Sequence, residues 1–195
     1  SYPISATYKN TDPTPTAPWV LPGQYTATLS ANGKTYTQSF RVVMDPRVQM
    51  TAQQLKQQYD LSMRCYDGKK QAATISAELG AVRKQIRELL PKAQALSAQE
   101  PALTVLKEAD QTLVALEGTT RGQDLSVQSV ANALDVVFGI LQEADMPVTS
   151  QAVAAANQSA ANLAKIVTAW ATFKSETLPA LNKQLEKAGL AVIRL

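Results

Sequence analysis

Between Gly23 and Val42, apolar and polar residues alternate with a period of two on either side of Asn32-Gly33. Asn-Gly suits a two-residue type I′ turn, in which both central residues need positive φ. Pairing Ala31 with Lys34 then sets Leu29 opposite Tyr36, Ala27 opposite Gln38 and Tyr25 opposite Phe40. Tyr25, Ala27 and Leu29 share one face with Tyr36, Phe40 and Val42. Thr26, Thr28 and Ser30 meet Thr35, Thr37 and Ser39 on the other. Both strands demand this register, because a slip of one residue would send every apolar side chain to the wrong face. A lone hairpin is marginal in water, so the apolar face needs a cover. Either the helices that follow supply it, or an upstream part of a β-sandwich does.

After Asp45-Pro46-Arg47 the apolar period lengthens to three and four. Thr51 followed by Gln54 is a capping-box start, and the spacing predicts a first helix to about Leu90. Its inward positions are Leu55, Tyr59, Met63, Tyr66, Ile75, Leu79, Val82, Ile86 and Leu89, with Asp67-Gly68 in the one gap as a bend and Pro91 as the stop. Pro101 opens a second helix striped by Leu103, Leu106, Leu113 and Leu116, with Gly118 as its C-cap. After a polar turn over Thr119 to Gly122, a third helix runs from Leu125 to Ala144, with Leu125, Val130, Leu134, Val137 and Leu141 inward. Thr149 or Ser150 caps a fourth, which carries Val153, Ala156, Leu163, Val167, Trp170 and Phe173 on one side. The Ala-rich first half of this helix permits close packing. Leu178-Pro179 interrupts or restarts it, and Leu190 to Leu195 form a short strand or a docked tail. The prediction is a mainly α chain: an antiparallel up-down four-helix bundle over residues 49–195, preceded by a Pro-rich segment and β-hairpin over residues 1–48.

Residues 1–23 hold five of the ten prolines, which excludes helix there; Asn10 to Pro18 reads as an extended loop and Tyr2 to Tyr8 as a short strand. Charge narrows function mainly by exclusion. The 195 residues carry a formal net charge of +3, with four basic residues against two acidic ones up to residue 50 and 15 against 14 beyond it. No basic cluster is built for phosphates, so nucleic acid is not an expected partner. Histidine is absent, which removes His-based triads and the commonest metal ligand. No apolar run is long enough to span a membrane. Ser1-Tyr2-Pro3 does not open a signal peptide and reads as a cut.

The remaining candidate chemistry is thin. Glu143 and Asp145 flank a helix end, where solvation is a plainer role than glycoside hydrolysis. Asn10, Asp12 and Asp45 lack the oxygen-rich pattern of a calcium loop, and Asp45 reads as a turn residue. Cys65 has no activating neighbour and reads as a buried structural thiol. Arg83, Lys84 and Arg87 read as a solvated helix face, and Gly118 to Gly122 lack the Lys-Ser/Thr of a phosphate loop. Trp170 and Phe173 read as core. Tyr2, Tyr8 and Trp19 are the candidate partner surface, with Trp19 packed under the hairpin as the plainer alternative. No catalytic, cofactor-binding or metal-binding set emerges, and the chain reads as non-enzymatic.

The stretch from Ala17 to Val48 also resembles the C-terminal region of bacterial sortilin-like (VPS10-type) BNR-repeat β-propeller proteins, often labelled glycosyl hydrolases. The residues that carry the likeness are Pro22, Gly23 and Tyr25, the Gly33-Lys34 turn and the exit Asp45-Pro46-Arg47. Ala144, Asp145, Pro147 and Thr149 match a helix junction of that family with Val148 inserted, and Leu181-Asn182 also fits; the likeness covers residues 17–190. It implies an exported periplasmic or cell-surface protein, with the propeller and most of an immunoglobulin-like (FlgD-like) sheet upstream. The implied role is a non-catalytic interaction or stabilising module. Its expected partner is the upstream propeller, another envelope protein or a second copy. The alternative implied by the label is an accessory segment of a polysaccharide-acting hydrolase whose active site lies elsewhere.

Overall fold

The computed structural model describes residues 17–96, 101–118 and 125–195. Tyr2, Tyr8, Asn10, Asp12, the Tyr2–Tyr8 strand and the Thr119–Gly122 turn lie outside the described residues, as does most of the Asn10–Pro18 loop. The protein is mainly helical, with four helices packed together after an N-terminal two-stranded antiparallel hairpin. Strands β1 (Gly23–Ala31) and β2 (Lys34–Val42) pair in the register read from the alternation, from Gly23 opposite Val42 to Ala31 opposite Lys34. Asn32 and Gly33 take φ of 51° and 73°, as a type I′ turn requires.

Helix α1 (Ala52–Leu96) is the spine. Thr51 starts it as a capping box: Gln54 N–H donates to Thr51 Oγ1 at 3.2 Å, and Thr51 N–H donates to Gln54 Oε1 at 2.8 Å. At 45 residues it is about 67 Å long. Pro91 does not end it. The expected stop is overridden because the turn beyond the proline still buries Ala93 in the core, and packing outweighs a lost backbone hydrogen bond of the kind proline imposes.

Helix α2 (Pro101–Glu117) returns along the second half of α1, and α3 (Val127–Gln142) continues along the first half. Gly118, at φ 90°, ends α2 where a Cβ would lie 2.2 Å from Ser126 Oγ, so only glycine lets the two helix ends meet this closely. α3 begins two residues later than the periodicity predicts. Ser126 and Ser129 cap it reciprocally, with Ser129 N–H donating to Ser126 Oγ at 3.1 Å and Ser126 N–H to Ser129 Oγ at 2.9 Å. Leu125 therefore precedes the helix and is exposed rather than inward, and Val127 takes the buried place. Thr149 caps α4 (Ser150–Thr172), its Oγ1 accepting from Ala152 N–H at 3.2 Å.

α4 runs without a break through a π turn (Phe173–Thr177) into α5 (Leu178–Lys187). Pro179 explains the π turn. Its ring would collide with the carbonyl one turn back in a regular α-helix, and a wider turn, in which Leu178 N–H reaches Phe173 O, makes room. Gly189 and Leu190 then close the helix with bonds from Gly189 N–H to Glu186 O at 3.0 Å and Leu190 N–H to Leu185 O at 2.8 Å, a Schellman turn. Residues beyond it dock on the bundle with Ile193 buried.

Burial on α1 is rotated from the predicted stripe in its first half. Leu55, Tyr59, Met63 and Tyr66 are only half-buried, while Ser62, Cys65, Gly68 and Ala72 face the core. Asp67-Gly68 is no bend: the helix is continuous, and a Cβ on Gly68 would stand 3.0 Å from Leu134 Cδ1 and 3.2 Å from Leu163 Cδ2. The small side chains let α3 and α4 approach α1 together. Burial raises the Cys65 thiol's pKa, against the pull of Arg64 and Lys69, and keeps it a structural thiol.

Two polar ties fix the helices in register. Arg83 is buried, not part of a solvated face, and pairs with Asp110 at 3.1 Å and with Glu117. Burial alone would lower its pKa, but the two carboxylates outweigh that and leave it raised. Glu78 accepts from Trp170 Nε1 at 2.6 Å and from Lys174 Nζ at 3.2 Å, and the indole bond, with help from Lys174, holds its carboxyl below the ordinary value of 4.5. Trp170 also stacks on Phe173 at 5.4 Å, inside the core as its position on the stripe predicted.

Two glycines of α1 should respond oppositely to substitution. Gly80→Ala, with nothing within 4 Å of the added Cβ, raises stability by about 0.5–1 kcal/mol in urea unfolding. Gly68→Val overfills the seam and lowers it by about 1–3 kcal/mol. A depressed carboxylate stabilises the fold above its ordinary pKa and loses that contribution as pH falls through its folded value. The melting-temperature advantage of wild type over Glu78→Gln at neutral pH should therefore shrink steadily as the solution is acidified past 4.5. An advantage that persists unchanged in acid would remove the carboxylate from this account.

Candidate interaction surface

Of the two covers that the hairpin's apolar face could have, the helices do not supply one. Leu29 is 63% exposed, Tyr36 56% and Phe40 47%, although all three lie on the apolar face that the alternation defines. Tyr25 is half-buried, stacked on Phe40 with ring centroids 6.0 Å apart and donating its hydroxyl to Leu21 O at 2.7 Å. Both outer edges of the two-stranded sheet are unpaired among the described residues. The cause is geometric: β1 and β2 pack on each other, and only the segments at their base reach the helices.

Those base segments are held by a buried polar network. Gln142, at the end of α3, accepts from Trp19 N–H through Oε1 at 2.7 Å and donates from Nε2 to Ser62 Oγ on α1 at 2.7 Å. Its backbone carbonyl accepts from Trp19 Nε1 at 3.4 Å. Beside it, Gln58 donates from Nε2 to the carbonyls of Leu141 at 2.6 Å and Ala144 at 2.9 Å, satisfying the end of α3. Buried amides that find partners from three segments fix one orientation among them. Leu21, Pro22 and Met44 line a small crevice of 40 Å³ with Leu55, Tyr59 and Gln142 at this junction.

Trp19 does not pack under the hairpin: it is 67% exposed, anchored by its two nitrogens at the stalk's foot. Asp45 is a turn residue. Its carbonyl accepts from Val48 N–H at 3.0 Å, its carboxylate accepts from Arg47 N–H at 2.9 Å, and the paired Arg47 guanidinium lowers its pKa. Glu143 and Asp145 border different grooves and do not face each other across either.

A second apolar area went unread in the sequence. Val136 and Ile140, one turn apart on the outer side of α3, are exposed, as is Met146. Ile140 and Met146 line a groove of 490 Å³ with Gln58, Leu141, Ala144 and Pro147 at the α3–α4 corner. The signal was available: Val136 and Ile140 fall off the inward stripe of Val130, Leu134, Val137 and Leu141, and apolar residues on both sides of a helix mark a face with something to meet.

This groove carries a single carboxylate, Glu143, as does the crevice at the hairpin foot, Asp145. Two more grooves among the described residues, beside Gly68 and beside Ala72 on α1, also carry one each, Asp67 and Asp135 respectively. Where two carboxylates do converge, Asp110 and Glu117, Arg83 stands between them. Among the described residues no group of three or more His, Cys, Asp or Glu side chains is placed to hold a metal, and no helix is long and apolar enough to cross a membrane. Comparison with family models, with curated proteins and with solved structures gave no match.

Replacing Gln142 by leucine leaves Trp19 N–H and Ser62 Oγ without their partner. The expected cost is about 1–3 kcal/mol in chemical denaturation. Faster amide exchange at Trp19, with exchange in the middle of α1 accelerated only by the global change, should accompany it. Unchanged exchange at Trp19 would mean that the stalk is held by something else.

Proposed function

We propose that this chain is a non-catalytic interaction and stabilising module, the C-terminal part of a larger exported sortilin-like propeller protein of the periplasm or cell surface. The bundle acts as a base that carries the hairpin, and the hairpin's apolar face is the contact layer. Its occupant is a β-sheet layer upstream in the same polypeptide. The observation that carries the reading is the uncovered face of Leu29, Tyr36 and Phe40. An aliphatic and aromatic face backed by a row of Thr and Ser is the pattern of one layer of a sheet-on-sheet sandwich, whose inner side needs a second layer about 10 Å away. The unpaired edges offer the same neighbour main-chain hydrogen bonds. The family likeness of residues 17–48 supports an upstream sheet as that neighbour.

Amide exchange separates this reading from its rivals. In the 195-residue chain the hairpin amides should exchange at least about tenfold faster than the buried turns of α1, since an uncovered hairpin opens locally. In a longer polypeptide that carries the upstream sheet they should slow to near the rate of the core. Leu29→Lys with Phe40→Lys should abolish that gain and leave α1 unchanged. Hairpin exchange that is the same in both polypeptides overturns the proposal. So does a stable dimer of the 195-residue chain in light scattering, lost in the double lysine variant, because a second copy would then be the occupant.

A further inference from the structure

Residues beyond the Schellman turn lie between α1 and α5, and their main chain is met there by two carboxamides. Asn182 on α5 accepts from Ile193 N–H through Oδ1 at 2.8 Å and donates through Nδ2 to Ile193 O at 2.9 Å. Gln85 on α1 accepts from Arg194 N–H through Oε1 at 3.0 Å and donates through Nε2 to Arg194 O at 2.7 Å. A carboxamide presents one acceptor and one donor side by side, which is the complement of the N–H and C=O of one extended residue. In an extended chain these pairs point to opposite sides at successive residues. Ile193 therefore turns its pair toward α5, and Arg194 turns its pair toward α1. This is the bonding of a central β-strand with two side chains in place of its neighbours.

We propose that the cleft between α1 and α5 is a binding site for an extended peptide, and that residues 191–195 are its resident ligand. Asn182 and Gln85 read main chain only, so they impose no sequence preference. Selection comes from the one buried side chain, Ile193, which is 2% exposed while Arg194 and Leu195 after it are exposed. The ligand class is thus a short extended segment with a branched aliphatic anchor followed by a residue of any kind. The helix end does not depend on these contacts, because the bonds from Gly189 and Leu190 already complete it. Both carboxamides are partly exposed and can return to water when the segment leaves. The occupant is held by four hydrogen bonds and one anchor, and it can be exchanged.

The test uses the full chain with Ile193→Asp, which places a carboxylate where the anchor sits and expels the resident segment. A fluorescein-labelled pentapeptide of residues 191–195 should bind this variant saturably in an anisotropy titration. It should bind wild type, whose cleft is filled, at least about tenfold more weakly, and Asn182→Ala added to Ile193→Asp should weaken binding by a similar factor. A folded Ile193→Asp variant that shows no saturable binding overturns the proposal, and so does equal affinity for the variant and wild type. If Ile193→Asp does not fold, amide exchange in otherwise wild-type protein decides. Asn182→Ala should speed exchange at Ile193 alone and Gln85→Ala at Arg194 alone. Failure of that selectivity overturns the two-carboxamide reading.

Discussion

The close approach of α3 and α4 to one face of α1 is the constraint on which the rest of the structure depends. Ser62, Cys65, Gly68 and Ala72 form that face, and each is small enough to let the larger side chains of both neighbours, Leu134 and Leu163 among them, fill the space above it. A leucine stripe in the same place would have separated the helices and left voids between them. From this seam follow the path of the return leg along α1, the meeting of α2 and α3 at Gly118, and the position of Gln142, whose amide reaches Ser62 because the helices are close there.

The molecule joins two regions of unequal burial. The bundle buries a continuous core from Leu61 to Ile193, and its two charged ties sit where helices must not slide. The hairpin has a specified register and little else: a single turn, paired strands and a base held by hydrogen bonds from Trp19 to Gln142. In the function proposed above, the hairpin supplies the contact face and the helices supply the rigidity.

Much of the architecture was legible. The Asn-Gly turn and the two alternating strands determined register, because each apolar position constrained the next. Prolines and caps located most helix limits. Where reading failed, a longer-range term had won. Pro91 is a breaker in isolation, but the buried turn at Ala93 carries the helix through it. Leu125 looked like the first inward residue because local periodicity does not register the Ser126–Ser129 cap. The α1 seam was missed because hydrophobicity marks large residues, and the first half of this helix buries mainly small ones. Arg83 looked solvated because its two carboxylates lie 27 and 34 residues away. The interaction surface was the least legible part. Alternation identified which hairpin face is apolar, but whether the helices reach it is a matter of tertiary distance, which no window of sequence contains.

The unbroken course of α1 has a mechanical consequence. Gln58, beside the foot of the hairpin, and Gln85, in the tail cleft, lie on the same helix, 27 residues and so about 40 Å apart. An α-helix braced along its length by others bends little, so the two ends cannot drift relative to each other. The chain is in this sense a ruler: the foot of the hairpin is held at a set distance from the tail cleft, and spacing becomes a property of one continuous run of backbone hydrogen bonds.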